Sequence, residues 1–421
     1  MSAELPSTDT SGDSKAVIVD LADPRSFVDQ VPHAAFATMR ARPGLYWQPT
    51  TLAVANGGFW AVTRYADIIA IERDPETFSS RRGAAYPLTN QDPNAPHVRR
   101  GLMTNDPPVH TRLRSAVGAG FGPRVVANFE PWVREIVAEV LDGLEGKPEF
   151  DYVVEVAQTI PALVVARVLG TPREDREMVV KWTLDVFNAT QDTEGLAPGE
   201  GTGGRTAQMQ QNSLAYAKKI RQFKKENPAD DMFTVVGQCV DRGELSEEEF
   251  LGWMLLIMGA GFETTHTAIA QSMRMYLESP EIAEATDRAI SEGVTERAID
   301  EYLRMITPAM EMARTATRDL EFAGEQIRKD DLMVLYYASA NRDPAIFKYP
   351  DRFDPWRDEK LTLVFGHGVH RCVGSFLAKL ELKVLFEALH ERGIKLRLAG
   401  EPVRGWSVFI NQLRSLPVAR V

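Results

Sequence analysis

From Phe365 to Gly374 the chain reads Phe-Gly-His-Gly-Val-His-Arg-Cys-Val-Gly, with three glycines around Cys372, and runs on into the helix-like SFLAKLELKVLFEALHER. Glycine permits positive φ and a close backbone approach to a flat ligand. A cysteine just ahead of a helix N-terminus gains thiolate stabilisation from the amide dipoles. A lone buried cysteine is usually an inert core residue, but these surroundings describe a place to hold a sulfur anion. A second reactive set, Met258-Gly259-Ala260-Gly261-Phe262-Glu263-Thr264-Thr265, puts an acid and an alcohol directly after small residues. An isolated Glu-Thr pair normally marks an exposed helical turn. An acid flanked by Met258, Ala260, Phe262 and Ala268 is instead set for burial, which is costly unless the group is used or paired. His266 fits a helix residue satisfied by its neighbours.

Two further sets are weak individually. Glu301 and Arg304 stand one helical turn apart, a common surface pair worth little, and Pro350-Asp351-Arg352-Phe353 follows later. His110 and Arg114 lie in Asn105–Arg114, while Arg314 and His370 stand alone; each by itself reads as surface charge. Local basic residues in an acidic chain could serve an anionic cofactor or partner.

The elements that must position these groups are mostly helical. Ser246 with Glu249 three residues on forms a capping box, which predicts a helix of about thirty residues, roughly 45 Å, running to Ser279-Pro280. Three- and four-residue apolar periodicity marks Pro131–Gly146 and Ala283–Met305 as helical. Strand character is confined to Gly57–Tyr65, Glu325–Asn341 and Val408–Val421, so the fold class expected is mainly α with a smaller β region, α+β. The glycine-rich stretch Glu194–Arg205 is either a gate over a site or a simple surface connection.

With 421 residues, 44% apolar and 25% charged, the chain is an ordinary globular sequence, and disorder is expected only towards its ends. Residues 1–20 are expected to form a flexible tail ahead of one domain, 21–421; the opening MSAELPSTDTSGDSK resembles no secretory signal or transit peptide. The longest apolar run, Phe250–Phe262, is too short for a bilayer, so no membrane anchor is expected. A formal charge of −11 disfavours nucleic acid and anionic lipid, and Cys239 and Cys372 give no disulfide framework, as suits a reducing cytoplasm.

The 365–374 stretch resembles the cysteine-ligand loop of the cytochrome P-450 family, and the resemblance extends from about Phe36 to the C-terminus, with four motifs in order. It implies a triangular, helix-rich prism with haem b between the long central helix and the helix after the cysteine loop. Cys372 would be the proximal iron ligand. Ala260 would leave room for dioxygen, and Glu263 and Thr264 would deliver protons. His110, Arg114, Arg314 and His370 would hold the haem propionates, and Phe365, Gly366 and Gly374 would line the cofactor. Glu301, Arg304 and Arg352 would form a structural lock. Glu263 stands where many soluble members carry aspartate, which leaves the exact proton path open.

The same resemblance places Ile257, Ala260, Met310, Met312, Phe409 and Ile410 along an apolar, deformable pocket. It implies hydroxylation of a small hydrophobic substrate, a terpenoid or aromatic hydrocarbon first and a steroid or fatty acid second. Electrons would come from a ferredoxin and its NAD(P)H-dependent reductase, docking at Arg112, Arg371, Lys379 and Lys383. A peroxide-using haem-thiolate enzyme and a non-catalytic haem sensor are the competing readings; the Glu263-Thr264 pair favours the monooxygenase.

Overall fold

The structure, a computed structural model, describes residues 19–51, 54–86, 101–191, 203–229, 231–359 and 361–421. Nearly all of the expected tail, and residues 194–202 of the glycine-rich stretch, lie outside them. Eight helices position the site: α1 (Tyr65–Glu72), α2 (Val109–Gly118), α3 (Glu130–Asp142), α4 (Thr159–Leu169), α5 (Glu247–Glu278), α6 (Pro280–Ser291), α7 (Thr295–Ile306) and α8 (Ser375–Glu391). Five strands complete the frame: β1 (Tyr46–Pro49), β2 (Gly58–Val62), β3 (Phe78–Ser79), β4 (Met312–Ala316) and β5 (Leu332–Leu335).

Helix α5 begins where the sequence places it. Ser246 Oγ accepts from Glu249 N–H at 3.1 Å and Glu249 Oε2 accepts from Ser246 N–H at 2.8 Å, closing the capping box. Its 32 residues span roughly 48 Å, and it packs against α4, α7 and α8 within the largest apolar core. The predicted helical run Ala283–Met305 is two helices: Gly293, at φ +70°, breaks it between α6 and α7, because only glycine enters the left-handed region at no steric cost.

The five-stranded sheet has the order β1-β2-β5-β4-β3, with β2 and β5 parallel and the other pairs antiparallel. Its central strand, Leu-Met-Val-Leu, is buried on both faces: Leu332 and Val334 join one core, Met333 and Leu335 another. The same period of two puts Met312, Arg314 and Ala316 on the face that α1 covers.

The expected lock forms around Glu301, but Arg352 is not its third cation. Arg304 grips the carboxylate with two bonds of 2.9 and 2.8 Å, and Arg357 Nε reaches both oxygens at 3.0 and 2.9 Å. Arg352 points its side chain outward and supplies its carbonyl, which accepts from Arg304 at 3.3 Å and from Arg357 at 3.0 Å. The Pro-x-Arg spacing occurs twice, at 350–352 and 355–357, and the chain turns at Tyr349–Arg352 so that only the second brings a guanidinium back over Glu301. Breaking a buried ion pair strands a charge, at about 3–5 kcal/mol. Arg357→Ala is therefore expected to destabilise by that order and Arg352→Ala by less than about 0.5 kcal/mol, measured by chemical unfolding.

Candidate active site

Cys372 lies two residues before Gly374, the N-cap of α8. The loop folds back on itself: Cys372 N–H donates to Phe365 O at 2.8 Å. Gly366 and Gly368 both sit at φ +64°, and a Cβ on Gly368 would collide with the Glu72 carbonyl, so glycine is required there by conformation and by space. Gly374 has an ordinary negative φ; its N–H points at the Cys372 sulfur. Cys372 presents accessible surface, yet protein surrounds it closely enough that burial pushes its thiol above the usual range; the wall of an interior concavity has both properties. The Gly374 amide, Arg114 and Arg371 pull in the opposite direction. A bound cation completes that trend, since a thiol coordinating a metal loses its proton.

Four basic side chains gather beside this loop. The His110 and His370 rings stand 4.2 Å apart, and Ser80 Oγ lies 3.2 Å from His370 Nε2. Arg114, on α2, donates to the Arg371 carbonyl at 2.5 Å and ties that helix to the cysteine loop. Burial, then Arg314, pushes His370 down to about 2; burial, then Arg114, lowers His110. Both ring nitrogens of His110 are buried with no hydrogen-bond partner among the described residues. Such a group calls for an acceptor, and two guanidinium cations beside two neutral imidazoles suit a ligand with carboxylates. The residues therefore fit an anionic cofactor that also offers a metal to sulfur, as haem does. Glu72 and Ser80 belong to this cluster and carry no sequence motif that would have exposed them.

Across the middle of α5, Gly259 and Ala260 are exposed while Met258 and Phe262 on either side are buried, so the helix turns a small-residue face to open space. Gly261 is small for another reason: a Cβ there would come within 3.1 Å of Val165 on α4. Thr264 Oγ1 donates to the Ala260 carbonyl at 3.0 Å. Burial raises Glu263 to about 7, with no compensating partner among the described residues. His266 is a satisfied helix residue as expected, fully buried, stacked on Phe262 at 5.5 Å and lowered to about 4 by burial.

Of the expected pocket residues, Ala260 is exposed and Met312 and Phe409 are half-buried. Ile257 is buried at 9% exposure. Met310 and Ile410, at 0% and 3%, are packed away from solvent: Met310 belongs to the core cluster that holds Phe59 and Tyr336, and Ile410 bridges Ala309.

A sulfur ahead of a helix, arginines and histidines placed for carboxylates and a half-buried acid-alcohol pair together define a haem-thiolate oxidoreductase. A sequence profile described as Cytochrome P450 matches residues 205–392. The chain is 35% identical over 391 residues to cytochrome P450 126 of Mycobacterium tuberculosis, covering 89% of this chain and 90% of that protein. It is 30% identical to a steroid C26-monooxygenase of Mycobacterium bovis (94% and 91% covered) and 30% identical to a linalool 8-monooxygenase of Pseudomonas putida (96% and 98% covered). A Mycobacterium marinum cytochrome P450 solved in complex with pseudoionone superposes with a TM-score of 0.84 at 27% identity, covering 98% of this chain and all of that one. The chain belongs to the cytochrome P450 family, and it is a monooxygenase whose cofactor is haem b.

Glu263 has its carboxyl proton below about pH 7 and loses it above. Product formation by the reconstituted enzyme is accordingly expected to fall as pH rises through 7, and Glu263→Gln to lower it about tenfold or more and flatten the profile, read from initial rates between pH 6 and 8.5.

Proposed function

We propose that this chain hydroxylates a small hydrophobic molecule, a terpenoid or aromatic hydrocarbon, at a haem held through Cys372. Bound haem would supply dioxygen activation, and Cys372 would supply the electron-rich thiolate that tunes it. The chain's own residues do the rest. His110, Arg114, Arg314 and His370 hold the cofactor carboxylates, and Phe365, Gly366 and Gly374 form the backbone seat around the sulfur. Ala260 leaves space on the opposite side. Glu263 holds a proton at its carboxyl near neutral pH, and Thr264 Oγ1, anchored to the Ala260 carbonyl, passes a proton on. Glu263 with Thr264, a half-buried acid with no side-chain partner among the described residues beside an alcohol, is the observation that carries the monooxygenase reading over a sensor, which has no need of proton delivery.

The terpenoid preference is supported by the similarity to a linalool 8-monooxygenase and to a structure holding pseudoionone, and by the apolar character of Ile257, Met312 and Phe409. The steroid C26-monooxygenase relative keeps steroids as the second class. Electrons would arrive from a ferredoxin and its NAD(P)H-dependent reductase. Arg112, Lys379 and Lys383 are each paired within the chain, to Glu249, Asp300 and Glu130 with Glu387. Arg371 has no ion pair among the described residues; it and the exposed Val369 and Phe376 are the better docking candidates. No helix among the described residues is long and apolar enough to cross a membrane.

Titrating terpenes, alkylbenzenes, steroids and fatty acids while following the haem absorption is expected to give a low-spin to high-spin shift with terpenes or alkylbenzenes at the lowest concentrations; saturation by steroids alone would overturn the substrate class. Thr264→Ala is expected to bind haem and substrate but to divert reducing equivalents into peroxide, lowering product per NAD(P)H several-fold. Unchanged coupling would remove Thr264 from the relay.

A further inference from the structure

Glu72 is the last residue of α1 and, at 4% exposure, one of the few buried acids beside the cation cluster. Three elements aim donors at its carboxyl. Tyr337, one residue past the Tyr336 that follows β5, donates its O–H to Oε1 at 2.5 Å. Arg314, on the β4 face that α1 covers, brings Nη2 to 3.5 Å of the same oxygen while its Nη1 donates to the Ala313 carbonyl at 2.8 Å. The backbone N–H of His367, in the loop leading to Cys372, donates to the side chain as well.

The contact between α1 and that loop is tight on both sides of His367. A Cβ on Gly366 would lie 3.3 Å from Tyr337 Oη and 3.5 Å from Glu72 Oε1, and one on Gly368 would strike the Glu72 carbonyl. Arg73, the next residue, donates from Nε to His367 Nε2 at 3.2 Å. Burial raises the Glu72 carboxyl, and Arg314, Tyr337 and His367 each pull it back towards ionisation. Arg314 and Tyr337 both meet Oε1, while Oε2 is buried with no hydrogen-bond partner among the described residues; a tyrosine, a guanidinium and a backbone amide, all donors, suit a carboxylate.

We infer that Glu72 is a positioning residue for the cofactor: its carboxylate orients the Arg314 guanidinium and pins the 366–368 loop, so that one buried negative charge sets both the grip on a haem carboxylate and the charge felt at the iron. The inference rests on the assignment of Arg314 to that carboxylate. Arg314 has five donors, of which Glu72 and Ala313 engage two, leaving the rest of the fork to meet an anion bidentately. Held from behind by Glu72, the guanidinium loses less freedom on binding. The same carboxylate offsets part of the positive potential of Arg314 and Arg114, and so disfavours the added electron of reduced haem.

The test is made on the holoprotein with Glu72→Gln and Glu72→Leu, measuring the midpoint potential, the rate of haem transfer to apomyoglobin and thermal unfolding. Glu72→Gln keeps the shape and loses the charge: the reduced form is expected to gain at least about threefold, ~28 mV upward for one electron, with faster haem loss. Glu72→Leu loses the hydrogen-bond acceptor and the charge together and is expected to release haem about tenfold faster. A Glu72→Gln protein whose potential and haem loss equal those of the wild type overturns the inference, even if its unfolding temperature falls, since packing alone moves stability without moving potential. Arg314→Gln separates the two assignments: if it keeps haem as well as wild type does, the role of Arg314 fails, whatever Glu72 does.

Discussion

Charge that cannot be settled within the chain is the constraint on which the site depends. Burial pushes the Cys372 thiol up, towards its neutral form, although the Gly374 amide and two arginines pull it down. Burial and neighbouring cations push His110 and His370 down, and both ring nitrogens of His110 are left without partners among the described residues. Each group alone is a cost to folding. One ligand that carries a metal cation for the sulfur and two carboxylates for the basic cluster satisfies both ends at once, and haem has that charge pattern. Cofactor binding and folding stability are thereby linked, because the ligand binds the folded arrangement and not the open chain.

The scaffold meets this constraint by converging elements far apart in sequence. Helix α2 brings His110 and Arg114, β4 brings Arg314, and the glycine loop brings His370 and Cys372. Helix α5 crosses the core and is fixed at its start by a carboxylate with two jobs: Glu249 closes the capping box and also binds Arg112 of α2 at 2.5 and 3.0 Å. Below the loop, Glu301 between Arg304 and Arg357 anchors the segment that leads to it, and its neighbouring carbonyls use up the remaining donors. The positions of the reactive groups are thus set by buried polar contacts as much as by apolar packing.

Local chemistry was readable in the sequence and long-range pairing was not. The ends of α5 follow from Ser246, Glu249 and Pro280, and the cysteine loop from its glycines, because those signals act within a few residues. The split of Ala283–Met305 turns on one glycine inside an otherwise continuous apolar period, which periodicity alone passes over. Arg352 and Arg357 sit in equivalent Pro-x-Arg spacings, and only the turn at Tyr349 decides which guanidinium returns to Glu301. Met310 and Ile410 share the apolar character of Met312 and Phe409, so composition could not separate wall from core. Glu72 has no local signature at all: its meaning comes from Arg314, Tyr337 and His367, more than 240 residues away.

The account stands on sulfur ligation at Cys372, and the absorption spectrum of the ferrous carbonyl complex reports that bond directly. The purified, haem-loaded protein is expected to give the red-shifted Soret band of thiolate-ligated haem. A band like that of a histidine-ligated globin, in protein that is folded and fully loaded, would contradict it.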